Sequence, residues 1–141
     1  MKIVILGYGK MGQLIEKFAL KRGHEIALIV DSHNRDTLTA QDLEDADIAI
    51  DFSTPDAALN NISLCFEAGL PLVVGTTGWY EHLQEVKETC LQADQSLLYG
   101  SNFSIGVNIF FHVNKLLAKA ISPYQQYDVQ VEEIHHIHKL D

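Results

Sequence analysis

The chain has 141 residues, of which 47% are hydrophobic and 21% charged, and its formal net charge at pH 7 is −9. A chain of this length and composition can bury the core of one ordinary domain, which excludes an intrinsically disordered protein. The acidic balance disfavours nucleic acid as a partner, because phosphate binding requires clusters of Lys and Arg, and the apolar runs are too short to span a bilayer.

The first hundred residues alternate predicted strands with predicted helices. Strands are predicted at residues 3–6, 24–30, 48–52, 71–74 and 97–99, which are short and mainly apolar runs. Apolar residues with helical spacing follow the first, third and fourth strands, whereas residues 31–45 are predicted to form a loop with one helical turn. Thr54 is predicted to cap the second helix, with Pro55 at its first position. This alternation predicts an α/β fold with a doubly wound parallel sheet of the Rossmann type.

The pattern changes after Gly100. Residues 109–121 predict a long amphipathic helix ended by Pro123, and residues 127–131 alternate like a half-exposed strand. A single strand cannot bury its own face, so we expect it to be the first strand of an incomplete α+β domain. We therefore predict a dinucleotide-binding domain with its connecting helix at residues 1–123, and the truncated start of a substrate-binding domain at residues 124–141.

A glycine-rich segment joins the first predicted strand to the first helix. In its Gly-x-Gly-x-x-Gly pattern, the first glycine permits a tight turn, the second lets a pyrophosphate approach the main chain, and the third lets the helix pack close to the strand. The N-terminus of that helix offers N–H groups and a positive dipole to phosphates. The alternative is a glycine-rich turn without a ligand. The predicted cofactor-binding residues of this segment are Gly7, Tyr8, Gly9, Lys10, Met11 and Gly12.

Asp31 stands at the end of the second predicted strand, nineteen residues after Gly12. An acidic side chain at this place can accept hydrogen bonds from the ribose hydroxyls of an adenosine. Its carboxylate would repel a 2′-phosphate, which favours NADH, although the nearby Arg35 keeps NADPH as the alternative cofactor. Asp31 could instead be a solvated turn residue.

Ligands of such sheets lie across the carboxyl ends of the strands. Thr76 and Thr77 offer hydroxyls and main-chain groups there to a carboxamide. Alternatively, Thr77 caps a helix and Gly75 makes a turn. The further cofactor-binding residues predicted at these strand ends are Gly75, Thr76, Thr77, Gly100, Ser101, Asn102 and Phe103.

Histidines and charges are concentrated in the last residues of the chain, where His135, His136, His138 and Lys139 lie close together. A metal site of His136, His138 and a glutamate is one interpretation, but no further Cys, His or carboxylate cluster completes a set of four ligands. A solvated polar strand end is another. The third is proton transfer and anion binding, since histidine has an unperturbed pKa of about 6.5 and lysine is a permanent cation unless buried.

Along its whole length the chain resembles the dihydrodipicolinate reductase family, enzymes of the diaminopimelate and lysine pathway. The glycine pattern is shared with many dehydrogenases, whereas Asn-Phe-Ser-x-Gly-Val-Asn and His-His-x-x-Lys are far more specific. The motifs that carry the resemblance are residues 7–12 (GYGKMG), 51–53 (DFS), 75–78 (GTTG), 102–108 (NFSIGVN) and 135–141 (HHIHKLD).

The resemblance implies a reductase that moves a hydride from NADH or NADPH to a small cyclic unsaturated dicarboxylate, without a metal. It implies that His135 is the acid that protonates the carbon next to the site of hydride addition. Lys139 would bind a substrate carboxylate or supply a proton, and His136 would contact the substrate. Family members are usually tetramers, so a homo-oligomer is expected for the full-length protein.

A cytoplasmic location is also expected. Met1 leads directly into an apolar strand without the layout of a signal peptide. Cys65 and Cys90 stand far apart in helix-like stretches and are expected to be buried, reduced thiols.

The chain departs from the family pattern in two ways. Its phosphate loop is one residue shorter than in some members, although the glycines are retained. In the family, the final motif runs on into Ala-Pro-Ser-Gly-Thr and the rest of a sheet domain, none of which is present here. We therefore expect the front portion of the enzyme, which binds NADH but is poorly active or inactive. The alternatives are another Rossmann oxidoreductase, of the homoserine or aspartate-semialdehyde dehydrogenase type, and a non-catalytic nucleotide-binding module.

Overall fold

Five parallel strands form one sheet in a computed structural model that describes residues 1–132 and residue 134. The sheet has the order β2-β1-β3-β4-β5, so the direction of chain progress reverses between β1 and β3. This confirms the predicted doubly wound parallel sheet. The strands are β1 (Lys2–Leu6), β2 (Glu25–Val30), β3 (Ile48–Asp51), β4 (Leu72–Val74) and β5 (Leu97–Tyr99).

Helices cover both faces of the sheet: α1 (Lys10–Lys21), α2 (Pro55–Glu67) and α3 (Leu83–Gln92). Successive strand residues point to opposite faces, so the apolar run of β1 serves two clusters. Ile3 and Ile5 pack with Ala19 of α1 on one face. Val4 and Leu6 belong to the larger cluster on the other face, which includes residues of α2 and α3. Burial on both faces is why these strands are almost wholly apolar.

Two local predictions need correction. Thr54 does precede α2, and Pro55 is its first residue, but the Thr54 side chain makes no capping hydrogen bond. Its carbonyl oxygen instead accepts from the N–H groups of Ala57 and Ala58, at 3.0 and 3.1 Å. The segment after β2 contains two short 3-10 turns, Arg35–Thr37 and Ala40–Leu43, where one helical turn was predicted.

The chain divides into two compact units, Met1–Phe103 and Ser104–Asp141. The second unit contains α4 (Ile105–Ile121), which begins four residues earlier than predicted because the Ser104 hydroxyl caps it, accepting from the Val107 N–H at 3.4 Å. The predicted domain boundary after residue 123 stays a prediction. No helix within the described part of the chain is long and apolar enough to cross a membrane.

The strand predicted at residues 127–131 is not formed. Its valines, Val129 and Val131, are exposed. A strand is stabilised by hydrogen bonds to a neighbouring strand, and no described residue pairs with this segment. The alternating pattern therefore predicted a strand that has no partner strand among the described residues.

Candidate functional site

A cavity of about 410 Å³ opens beside the carboxyl ends of the strands that flank the reversal of strand order. In doubly wound sheets this is the place where ligands bind. The glycine segment lines one side, the end of β2 another, and the segment after β3 with the start of α2 a third. Lining residues include Gly7, Tyr8, Gly9, Asp31, Ser53 and Asn61.

The three glycines of the segment differ in the space that surrounds the position of a Cβ atom. Gly7 has a φ of +92°, and a Cβ there would lie 2.4 Å from the carbonyl oxygen of Phe52. A Cβ on Gly12 would lie 2.2 Å from the carbonyl oxygen of Gly7. A Cβ on Gly9 would meet nothing within 4 Å. The protein's own packing thus requires glycine at the first and third positions, whereas at Gly9 the absent side chain leaves open space.

Gly9 is also the residue that precedes α1, and no side chain caps the helix there. The first turn of α1 contains no acidic residue, so its N-terminal N–H groups and dipole are not offset by a carboxylate. A helix end of this kind suits a phosphate. Lys10 and Met11 lie exposed in that first turn, next to the cavity but not among its lining residues.

Tyr8 fixes the glycine segment to α1. Its hydroxyl donates a hydrogen bond to the Glu16 carboxylate, and this bond raises the pKa of Tyr8. The ring packs against the cluster formed by Ile3, Ile5 and Ala19. These contacts within the protein therefore fix the glycine segment without a ligand.

Asp31 lies at the far end of the cavity, directly after β2. Its Oδ1 accepts a hydrogen bond of 2.7 Å from the main-chain N–H of His33, which lowers the pKa of Asp31 more than any other cause. The His33 ring nitrogen Nδ1 lies 3.3 Å from the same oxygen. Asn34 holds the main chain here by accepting from the Asp31 N–H at 2.8 Å. Arg35 lines the cavity as well. The site thus offers a carboxylate that is ionised at neutral pH.

An aromatic wall, which we define as Phe52 and Phe103, stands at the ends of β3 and β5. The two ring centroids are 6.1 Å apart and the planes are tilted by 58°. Each ring lies over a glycine: a Cβ on Gly75 would be 2.2 Å from the Phe52 ring, and one on Gly100 would be 3.3 Å from the Phe103 ring. The structure therefore brings Gly75, Gly100 and Phe103 together at the ends of β4 and β5.

Thr76 is the exception among the predicted cofactor residues, because its side chain is buried and already bonded. Its hydroxyl donates to Asp51 Oδ1 at 2.5 Å and accepts from the Ser53 N–H at 2.8 Å. Its carbonyl oxygen accepts from Trp79 Nε1 at 2.8 Å. The prediction that the Thr76 hydroxyl serves a carboxamide is therefore wrong. Thr77 is half-buried, and Ser101 and Asn102 are exposed.

Two polar residues of the site were missed by reasoning from sequence. Asp51 is fully buried, and Asn61 is 4% exposed and lines the cavity. Each had a signal: Asp51 ends an otherwise apolar strand, and Asn61 lies on the apolar face of α2, beside Ala58 and Ile62. A polar residue on a buried face is almost always hydrogen-bonded.

The predicted catalytic and substrate residues lie outside the described residues. These are His135, His136 and Lys139. The alternative metal site, which depends on His136 and His138, lies outside them as well. Their roles stay predictions.

Known proteins resemble the chain over its whole length. Relatives named 4-hydroxy-tetrahydrodipicolinate reductase are 46% identical in Christiangramia forsetii, 35% in Staphylococcus aureus and 37% in Staphylococcus carnosus. Each alignment covers 100% of this chain but only 58% or 59% of the relative. The chain thus spans less than two thirds of the length of these relatives.

Solved structures share the fold at low sequence identity. A putative homoserine dehydrogenase from Archaeoglobus fulgidus has a TM-score of 0.57 and 17% identity, over 70% of this chain and 42% of that one. An NAD-binding protein from Listeria innocua has a TM-score of 0.56 and 17% identity, over 72% of this chain and 34% of that one. These likenesses show the Rossmann-type fold alone.

The family model described as "Dihydrodipicolinate reductase, N-terminus" matches residues 1–103, the unit that contains the sheet and the cavity. That match covers more than half of the chain, and it agrees with the names of the relatives. The chain therefore belongs to the dihydrodipicolinate reductase family.

Proposed function

We propose that the cavity binds the dinucleotide NADH, with its pyrophosphate against the glycine segment. The observation that carries this proposal is the open space at Gly9, in front of an uncapped helix N-terminus. A phosphate can approach main-chain N–H groups only where no side chain intervenes. The flanking glycines are explained by internal packing, whereas Gly9, with a φ of −79° and open space around it, is not.

The adenosine would lie toward Asp31. The pKa of Asp31 is lowered from a value already far below 7, so its carboxylate is ionised at neutral pH and can accept from the two ribose hydroxyls. The same charge disfavours a 2′-phosphate, so NADH is the proposed cofactor. Arg35 lines the same cavity and would make NADPH the weaker alternative by offsetting part of the repulsion.

The nicotinamide would lie toward β4 and β5. The aromatic wall offers an apolar surface to the ring, and Gly75, Thr77, Ser101 and Asn102 are the proposed neighbours of its carboxamide end. Lys10, Met11 and Thr76 would contribute through the main chain or through packing. When bound, the cofactor supplies the hydride for the reaction.

For the full-length protein we propose reduction of a cyclic unsaturated dicarboxylate, dihydrodipicolinate to tetrahydrodipicolinate, in diaminopimelate and lysine biosynthesis. The names of the relatives and the matched family support this proposal. His135 would protonate the carbon beside the position of hydride addition, Lys139 would hold a substrate carboxylate, and His136 would contact the substrate. No metal takes part in this scheme.

We also propose a cytoplasmic homo-oligomer for the full-length protein. Residues 1–123 would act as the cofactor domain with its connecting helix, and residues 124–141 would begin the substrate domain. The 141-residue chain would then bind NADH but turn over poorly or not at all.

The activity is tested by a coupled assay on the full-length protein, with the dihydrodipicolinate synthase product as substrate. We expect oxidation of NADH, at a lower rate with NADPH, and almost none with the 141-residue chain. His135→Gln in the full-length protein should lower kcat by about a hundredfold or more, with little change in the Kd for NADH. Unchanged turnover in that variant would remove His135 from the mechanism.

A further inference from the structure

Asp51 carries a buried carboxylate at the carboxyl end of β3, and both of its oxygens accept hydrogen bonds. Oδ1 accepts from the Ser53 N–H at 2.9 Å, the Ser53 hydroxyl at 2.8 Å and the Thr76 hydroxyl at 2.5 Å. Oδ2 accepts from the Asn61 amide at 2.7 Å. Both oxygens of the carboxylate therefore accept hydrogen bonds, three on Oδ1 and one on Oδ2.

The partners of Asp51 are all neutral. Within residues 1–132 and 134, no Lys, Arg or His forms an ion pair with it. Its charge nevertheless acts on its surroundings, since it adds to the effect of burial in raising the pKa of the Cys65 thiol. A buried charge without a counter-ion is costly, and an apolar residue would pack at less cost. The buried carboxylate therefore calls for a role other than packing.

The four donors come from three separate parts of the fold. Ser53 belongs to the segment after β3, Asn61 to α2, and Thr76 to the segment after β4. Ser53 and Asn61 line the cavity, whereas Thr76 does not. A further bond, from the Ser53 N–H to the Thr76 hydroxyl at 2.8 Å, closes the network. From Thr76 the connection continues through its carbonyl oxygen to Trp79.

We propose that Asp51 is a positioning residue for the nicotinamide end of the cofactor, which fixes the segments after β3 and β4 at the separation that the dinucleotide requires. This inference rests on the proposed NADH binding. Asp51 itself is fully buried and would not touch the cofactor. It would act by holding Ser53 and Asn61 in the cavity wall and by setting the start of the 75–79 segment.

The test compares two ligands, NADH and ADP, on the 141-residue chain. ADP would occupy only the end of the cavity between Asp31 and the glycine segment, so it reports on the fold there without the nicotinamide end. The main variant is Asp51→Asn, and its matched control is Asp47→Asn. Asp47 is exposed at the opposite end of β3, where its carboxylate accepts from the Lys2 N–H.

A second pair of variants avoids removing the buried carboxylate. Thr76→Val keeps the shape of the side chain but loses the hydroxyl, whereas Thr76→Ser keeps the hydroxyl. Both are measured at a temperature at which circular dichroism shows each protein to be folded. A loss of global stability alone would not change the Kd of the folded protein.

We expect Asp51→Asn and Thr76→Val to weaken NADH binding by about tenfold, because the segments after β3 and β4 would no longer be fixed for the nicotinamide end, and to leave ADP binding within about twofold. Thr76→Ser and Asp47→Asn should bind both ligands like the unmodified chain.

If Asp51→Asn does not fold, the comparison of Thr76→Val with Thr76→Ser tests the positioning role. Equal NADH binding by Thr76→Val and Thr76→Ser, or equal losses of NADH and ADP binding, would overturn the positioning role while leaving the cofactor site intact. An unmodified chain that binds neither ligand would overturn the proposed function, and the positioning role with it.

Discussion

The ring of Phe52 lies so close to Gly75 that a Cβ on Gly75 would stand 2.2 Å from two of its carbon atoms. Phe52 follows β3 and Gly75 follows β4, so this contact joins the ends of two neighbouring strands. The position of the ring, and with it the aromatic wall, therefore depends on the absence of a side chain at residue 75.

Gly75→Ala should displace the half-buried Phe52 ring and destabilise the protein by about 1–3 kcal/mol, the usual cost of overpacking. NADH binding should weaken as well, because the proposed nicotinamide surface moves. Urea unfolding and NADH titration measure the two effects. A double variant with Phe52→Leu serves as the control and should recover part of the stability, but not the binding. Full stability in Gly75→Ala alone would show that the ring can move aside freely.

Gly7 and Gly23 allow the cost of a steric clash to be separated from the cost of placing a side chain at a positive φ. Both have positive φ, +92° and +77°, but a Cβ on Gly7 would meet the Phe52 carbonyl at 2.4 Å, and one on Gly23 would meet nothing within 4 Å. Gly23→Ala should therefore destabilise by about 1 kcal/mol, the conformational effect alone. Gly7→Ala should cost at least about 2 kcal/mol more, since main-chain atoms must shift. Equal free energies of unfolding for the two variants would contradict the contact between the β1 and β3 segments.

Asp31→Ser should change cofactor preference toward NADPH. The variant removes the carboxylate that accepts from the His33 N–H and that would repel a 2′-phosphate. We expect the ratio of the Kd for NADH to the Kd for NADPH to rise by about tenfold or more. Asp45→Ser, at an exposed residue that does not line the cavity, is the control and should leave the ratio unchanged. An unchanged ratio in Asp31→Ser would mean that the adenosine ribose lies elsewhere.

Cys65 should be unreactive in the folded protein. Its side chain is fully buried, and burial, with a further contribution from the Asp51 charge, raises the pKa of its thiol to about 12. The thiolate is the reactive form, so iodoacetamide should leave Cys65 unmodified until the protein unfolds. Peptide mass spectrometry of protein labelled with and without urea measures this. Rapid labelling of native Cys65 would contradict its burial.

The sheet could be predicted from sequence because each strand is an apolar run that is buried on both faces. The fifth strand, Leu97–Tyr99, has the predicted bounds, and the others differ by one residue at an end. The prediction of a strand at residues 127–131 was wrong because the alternation of apolar and polar residues indicates one exposed face but not whether a partner strand is present. A strand-like sequence pattern therefore forms a strand in the described residues only where a neighbouring strand is present to pair with it.

Sequence alone indicated the glycine segment and Asp31, and Gly7, Tyr8, Gly9 and Asp31 do line the cavity; their roles stay predictions. Residues of the site were missed where their chemistry depends on contacts between residues that are far apart in the sequence. Thr76 was assigned to the cofactor because its hydroxyl lies at a strand end, yet that hydroxyl is bonded to Asp51, 25 residues earlier in the chain. Only the pairing of β3 with β4 brings the two together.

The affinity of the 141-residue chain for NADH before and after Gly9→Val tests the proposed dinucleotide site directly. Gly9 has a φ of −79° and open space around its missing side chain, so the variant should fold with nearly unchanged stability. Isothermal titration calorimetry should show NADH binding to the unmodified chain, weakened by at least about a hundredfold in the variant, because the side chain occupies the proposed phosphate position. Equal NADH affinity in the two proteins, or no NADH binding by the unmodified chain, would contradict a dinucleotide site at this cavity.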